Sequence, residues 1–464
     1  MKKIISVLIA ISLLTTTGCK KFVDGYDESP NSPSAVTPQL LLSNAQVAYF
    51  STMNGQLSRQ SAILTQQVVG LEFQAKDVND YQIDENTNGN EWDVIYTNGL
   101  VNLKQLYTQA GTKNPYYQGI SRVLTAMFLG TASDLWGDIP NREAVNGLEG
   151  TVNPAYDKQE DVIKDIQLYL SEAITLLSKA EAENAILPGN DDLIFAGDVA
   201  AWKATASVLK ARYYNRLSKR DAGGSADNAL TALADAYAAG FTSNAANCNA
   251  NFGTNSNEYN QWYAYTKVDR RGYVRMGSMV TDTLNAMNDP RLDFYALPDD
   301  SGNYSGSDVD EGNSTVSDIG IYLAKQNAAF PLVSYAEAKF IESEAKLRKS
   351  DAAGAASAFN DAVKASIQQV TSADADTSYV TAYASETATS ISLEKIMWQK
   401  YLSLFGQIET YNDWRRTNFP KLKANTNAND PIVPRRLPTV LDERLYNSKS
   451  PKITDIRMSV WWDN

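Results

Sequence analysis

The sequence predicts a mostly α protein: tetratricopeptide-like helix pairs with inserted loops and few short strands. Three observations predict it. Apolar residues recur at spacings of three and four along most of the chain. Small and aromatic residues repeat across two consecutive helices at 336–362, and sustained strand alternation is hard to find. With 464 residues, 43% of them hydrophobic, the chain has ample material for a core.

The first element is an address. Lys2 and Lys3 precede the apolar run Ile4–Leu14. That run is too short for a transmembrane helix, which needs ~20 residues. Residues 1–18 fit a signal peptide, and Thr16-Thr17-Gly18 before Cys19 suits a lipoprotein signal peptidase. Lipidation is therefore expected at Cys19, where several acyl chains would hold the protein on a membrane. Residues 19–38, with three prolines, read as the lipidated cysteine and a tether, and 39–464 as a single helical domain.

The helices follow in order. Ile120, Val123, Leu124, Met127 and Phe128 mark one apolar face within 116–136. Ile163, Ile166, Leu170, Ala173 and Leu177 repeat the spacing, as do Leu393, Ile396, Met397, Tyr401 and Leu404. Further helices are expected at about 39–68, 91–109, 198–219, 225–239, 275–287, 334–349 and 353–371. Ala338, Phe340 and Ala345, a turn at Lys349-Ser350-Asp351, then Ala356, Phe359 and Ala362 form one helix-pair repeat. A looser unit runs from Trp202, Ala206, Leu209 and Tyr213 to Ala229, Leu233 and Ala236, its turn enlarged by RDAGGSAD. Stacked pairs let one chain share a continuous core. Three long polar stretches, 74–90, 241–272 and 298–320, read as functional loops.

Composition narrows the chemistry. Lys+Arg is 42 and Asp+Glu 54, giving a net charge of −12, which opposes nucleic acid as a partner. There is no histidine, which removes Ser-His-Asp and Cys-His catalysis, His-ligated zinc and histidine pH switching. The two cysteines, Cys19 and Cys248, make no disulfide framework, and Cys248 reads as buried and inert.

Seven segments occur in a telling order: LGTASDLWGDIPNREA (129–144), NDPRLDFY (288–295), GNYSG (302–306), FPLVSYAEAKFIESEAKLR (330–348), ISLEKIMWQKYLSLFGQIETYNDWRR (391–416), PRRLP (434–438) and WWD (461–463). Behind a lipoprotein signal, this set resembles the SusD/RagB family of outer-membrane lipoproteins, and its SusD-like branch most of all. The resemblance implies about four tetratricopeptide-like helix pairs with loops inserted to one side. It implies a non-catalytic surface protein that binds glycans, or in some members peptides, and delivers them to a SusC-like TonB-dependent transporter. The matched segments are mostly scaffold, so the identity of the ligand does not transfer with them.

Sugar binding needs exposed aromatic faces beside groups that bond hydroxyls. Trp136, Trp202, Trp398 and Trp414 lie in periodic segments and read as core, as do Trp92 and Tyr96. Trp461 and Trp462 read as docking the terminus. The loop aromatics are the candidates: Tyr259, Trp262, Tyr263 and Tyr265 beside Asn257 and Asn260, Tyr304 beside Asn303, and Tyr81 beside Asp80 and Asp84. Of these, Tyr259, Trp262, Tyr263, Tyr304 and Tyr81, with Asn257, Asn260 and Asn303, form the expected ligand site.

Two acid clusters, Asp308-Asp310-Glu311 and Asp77-Asp80-Asp84, keep a second class open: a lipid-anchored glycoside hydrolase on a helical toroid. A third class is a structural lid for a transporter. DVDEGN (308–313) falls short of a calcium loop, and no metal or cofactor is assigned. Arg270-Arg271 and Arg415-Arg416 read as salt-bridged pairs.

Overall fold

The computed structural model describes residues 36–464. The leader, Cys19 and nearly all of the tether lie outside the described residues.

Four helix pairs stack in chain order. They are Pro115–Trp136 with Gln159–Leu177, Val199–Arg216 with Ala222–Ala238, Tyr335–Arg348 with Ala352–Thr371, and Leu393–Ser403 with Ile408–Thr417. Each pair also packs on the next. Close packing needs small residues at the crossings. A Cβ on Gly130 would lie 1.8 Å from the Tyr213 hydroxyl, so only glycine lets the first and second pairs meet there.

The third pair is the predicted repeat. Ser334 caps its first helix by accepting from the Glu337 amide, and Asp351 caps the second by accepting from that of Gly354. The buried Phe340 and Phe359 rings meet edge-on at 6.2 Å. In the second pair the turn is tighter than expected. Asp221 caps a helix that begins at Ala222, so Gly223 and Gly224 fall in its first turn rather than in a long loop.

Other differences have local causes. The helix expected over 39–68 is two, Pro38–Asn54 and Gln56–Leu64, because the chain turns at Gly55. A Cβ there would lie 2.1 Å from the Ser51 carbonyl oxygen. The helix expected from 275 starts at Ser278, because Val274–Met276 is a strand. Helices at Phe73–Asn79, Thr377–Tyr383 and Ile408–Thr417 were not among those expected. Trp398, expected in the core, is half-buried and faces a recess beside Asp308 and Lys423. Trp92, Trp136, Trp202, Trp414 and Trp462 are buried. Cys248 is buried too, and burial pushes its thiol pKa up.

Charges fasten the stack from within. Arg212 pairs with Glu337 at 2.6 Å, and Arg216 with Glu409 at 2.5 Å and Asp134 at 3.1 Å. Glu344 takes Lys400 at 3.1 Å and Arg416 at 2.5 Å, and both cations also reach Asp413. All these side chains are buried, so removing one partner strands a charge at a cost of ~3–5 kcal/mol. Arg416 thus meets its expectation. Its neighbour Arg415 instead bonds the Arg435 carbonyl and Asn412, and Arg270 and Arg271 make no ion pair among the described residues.

Between the second and third pairs the chain makes its long insertion, 239–334. Within it, Val274–Met276 pairs antiparallel with Val68–Gly70, Val69 opposite Arg275. This short ladder joins two segments far apart in sequence and builds the site.

Candidate functional site

The ladder sets the Gln56–Leu64 helix beside the π-helical turn Ala264–Asp269. Arg59 projects from that helix over the ring of Tyr265, with its guanidinium carbon 4.0 Å from the ring centroid. Arg59 makes no ion pair among the described residues. Burial pulls its pKa down to about 10, against the opposing pull of Tyr265 and Glu91.

Gln60, one residue on, is 3% exposed. Its Oε1 accepts from Asn88 Nδ2 at 2.8 Å, while its Nε2 has no partner. Asn88 Oδ1 is likewise without a partner, and both atoms are sealed from solvent, so one bond alone joins this buried amide pair. Gln56 ties the loop down by donating from Nε2 to the Thr87 carbonyl at 2.7 Å.

Arg59, Gln60 and Tyr265 line a cavity of about 260 Å³. Four buried aliphatic residues, Ile63, Ala75, Val78 and Val274, make its apolar part. Exposed Gln74, Asp77, Gln82 and Asp84 make its rim. Burial pushes the Asp84 carboxyl up, but hydrogen bonds from Asn86 and Thr87 outweigh it and hold the pKa below its ordinary value.

An aromatic strip continues from the cavity. Tyr265 meets Tyr273 edge-on at 6.3 Å, and Tyr273 stacks on Phe73 at 5.1 Å. Phe73 is 66% exposed and sits at φ +44°. That backbone conformation costs a non-glycine residue ~1–2 kcal/mol, and such strain collects at ligand-binding sites.

The structure sorts the expected site residues. Trp262 is fully buried and donates from Nε1 to Ser58 Oγ at 2.8 Å, so it is core and not a sugar platform. Asn260 is buried as well. Its Oδ1 caps Trp262 and its Nδ2 holds the Ala328 carbonyl, leaving nothing for a ligand. Tyr259 and Tyr263 are half-buried, 5.1 Å apart and edge-on, with Tyr259 bonded to Gln326. Asn257 is exposed. Tyr304 is half-buried, and burial followed by the Asp293 carboxylate raises its pKa. Asn303 is exposed in a turn closed on Asp299. Among the described residues no hydrogen bond or ring contact joins Tyr304 to the Tyr259–Tyr263 pair.

Tyr81 lines a second cavity, of about 510 Å³, with Asn429, Asp430 and Arg457. Gln82 borders both cavities, which places Tyr81 next to the Arg59 site. Sequence reasoning missed Arg59, Gln60, Phe73 and Tyr273 as site residues. Phe73 next to a polar stretch was the available signal. Among the described residues no group of acids and cysteines is placed to hold a metal ion, and no helix is long and apolar enough to cross a membrane.

Stacked helix pairs carrying one long insertion, with a cavity at Arg59 and an aromatic strip beside its ladder, define a tetratricopeptide-like scaffold built around a loop-borne pocket. The chain belongs to the SusD-like family described as starch-binding and associating with the outer membrane, which matches residues 30–438. The family is one of carbohydrate-binding proteins of the outer membrane. A chitin-binding protein is similar at 24% identity, with 92% of this chain and all of that one covered and a TM-score of 0.77. A chitin-binding SusD homolog from Flavobacterium johnsoniae is similar at 20% identity over 92% of this chain and 97% of that one, TM-score 0.76. A SusD/RagB family protein from Bacteroides thetaiotaomicron is similar at 22% identity over 93% and 99%, TM-score 0.74. These likenesses establish the fold. No curated protein matches the chain at a significant level.

Proposed function

We propose that this protein is a lipoprotein of the outer-membrane surface, anchored through Cys19, that binds glycans in the Arg59 cavity and delivers them to a SusC-like TonB-dependent transporter. The observation that carries the binding site is the Arg59 guanidinium, which makes no ion pair among the described residues, beside the Tyr265–Tyr273–Phe73 strip. Sugars present hydroxyls to such a cation and C–H faces to such rings. The family description names starch and two similar structures are chitin-binding, so both polymers belong in the first panel.

Isothermal titration of the full chain in detergent against starch- and chitin-derived oligosaccharides tests the reading. Binding to at least one, lost in Arg59→Ala with the fold intact, supports it. Binding that survives the substitution moves the site elsewhere. Anchoring is tested by Cys19→Ala, which should leave the precursor unprocessed and free of acyl chains. Co-purification of a TonB-dependent barrel from solubilised outer membranes tests the partner.

The hydrolase reading needs an acid with a raised pKa. Asp84 in the cavity is held low, and hydrogen bonds from Ser278 to Asp308 and from Lys423 to Asp310 lower those two. Steady product release from any panel glycan would restore that reading.

A further inference from the structure

We propose that the cavity between the first helix pair and the Val101–Ala110 helix is a second ligand site, built for a small organic carboxylate. It shares no lining residue with the Arg59 cavity.

Arg122, on the Pro115–Trp136 helix, lines this cavity. Its guanidinium carbon lies 3.8 Å from the Tyr107 ring centroid and 4.6 Å from that of Tyr169. Its Nε, sealed from solvent, stands 2.7 Å from Glu172 Oε2, and the Tyr107 hydroxyl donates to the other oxygen of that carboxylate. Two rings and one acid thus hold the guanidinium in place, while its Nη pair makes no hydrogen bond among the described residues. A fork fixed in advance loses little side-chain freedom when a ligand arrives.

Two hydroxyls in the same wall are also unengaged. Thr125, one turn after Arg122, makes no hydrogen bond among the described residues, whereas Thr131 on the same helix bonds the Met127 carbonyl at 3.0 Å. The Tyr169 hydroxyl makes none either. The nearby acids are occupied elsewhere. Asp165 takes Arg142 Nε at 2.9 Å and Nη2 at 3.1 Å, and Glu149 takes Lys104 at 2.9 Å. Lys104, Arg122 and Arg142 line the cavity, and none of their partner acids does. Leu100, Leu103, Leu129 and Ala144, all buried, supply its apolar part.

Free donors, cationic walls and an apolar patch describe the ligand. A hydroxyl or an amide brings donors of its own and finds few acceptors. An ionised carboxylate only accepts, and it matches the guanidinium fork. Inorganic phosphate would take the same donors, but it has no apolar part and loses hydration beside the leucines. A carboxylate on a short apolar stem satisfies both halves of the site. The cavity holds about 180 Å³, and ~150 Å³ is enough for benzene, so the stem is ring-sized or smaller.

The test titrates benzoate, butyrate, benzamide, butyramide, glucuronate and inorganic phosphate into the full chain in detergent, with the detergent-only heats subtracted. Benzoate and butyrate should bind saturably, at least tenfold tighter than the two amides and phosphate. Thr125→Val, which keeps the shape and removes the hydroxyl, should weaken benzoate severalfold, and Arg122→Lys, which keeps the charge and removes the fork, at least tenfold. An amide that binds as tightly as its acid shows that charge is not read and overturns the proposal. Phosphate or glucuronate binding tighter than benzoate does so too, because the apolar stem then counts for nothing. Benzoate affinity unchanged in both variants, each folded by circular dichroism, removes the ligand from this cavity. The absence of saturable binding by either small acid rejects the site outright.

Discussion

The Phe73 ring stacks on that of Tyr273 at 5.1 Å and 23°, while two-thirds of Phe73 remains in solvent. An exposed aromatic at φ +44° gives up stability that another residue would keep. Phe73→Gly and Phe73→Ala both remove the ring, but only glycine relaxes the backbone. The glycine variant should be more stable than the alanine variant by about 1 kcal/mol in chemical denaturation. Both should weaken glycan binding by about 1–3 kcal/mol in titration calorimetry. Equal stability of the two would show that the backbone there is unstrained.

Trp262 behaves in the opposite way. It turns inward from the insertion into the core and is bonded to Ser58, which in turn donates to the Gly406 carbonyl. Trp262→Ala should cost ~3–5 kcal/mol of stability. Trp262→Phe keeps most of the volume and strands the Ser58 contact, at about 1–3 kcal/mol. Denaturant midpoints for the two variants give both numbers.

The third helix pair offers the same kind of check on the scaffold. Phe359 is 2% exposed and meets Phe340 edge-on. Phe359→Ala should lower stability by ~3–5 kcal/mol. A near-neutral result in thermal unfolding would mean that the two helices do not depend on this contact.

The buried charges set how stability follows pH. Burial alone would raise the carboxyls of Glu344, Glu409 and Asp413, but their cations win and hold all three below their ordinary values of 4.5 and 3.8. Their stabilisation is full above those values and is lost as pH falls from them through the lowered pKa values of the folded protein. Asp134 runs the other way. Burial raises it to about 6 against the pull of Arg216, so its share is present below its ordinary value of 3.8 and is lost as pH rises through about 6. Stability should therefore peak between pH 4.5 and 6. Lys400→Met removes a cation from Glu344 and Asp413 and should move the acid limb to higher pH. Thermal unfolding from pH 3 to 8, followed by calorimetry, checks both statements.

Much of the scaffold was readable because its signals are local. The alanine and phenylalanine spacing at 336–362 is a helix-pair pattern whatever lies around it, and the ordered segments carry the family. The site was less readable because its contacts are not local. Arg59 is one cation on a polar helix, and nothing nearby in sequence announces Tyr265. Trp262 misled for a related reason. Asn257, Asn260 and Gln261 made its surroundings look like a wet loop, whereas Asn260 is a helix cap and the chain winds inward immediately after it. The i to i+4 bond from Thr266 to the Trp262 carbonyl was the helical signal hidden there.

The three-residue ladder at Val68–Gly70 and Val274–Met276 has a temporal meaning as well. It closes a loop of about two hundred residues, and the entropy of that closure grows only as the logarithm of loop length. Arg59 leaves the ribosome long before Tyr265. The amino-terminal helices therefore carry half a cavity until the far strand pairs with Val68–Gly70 and completes it.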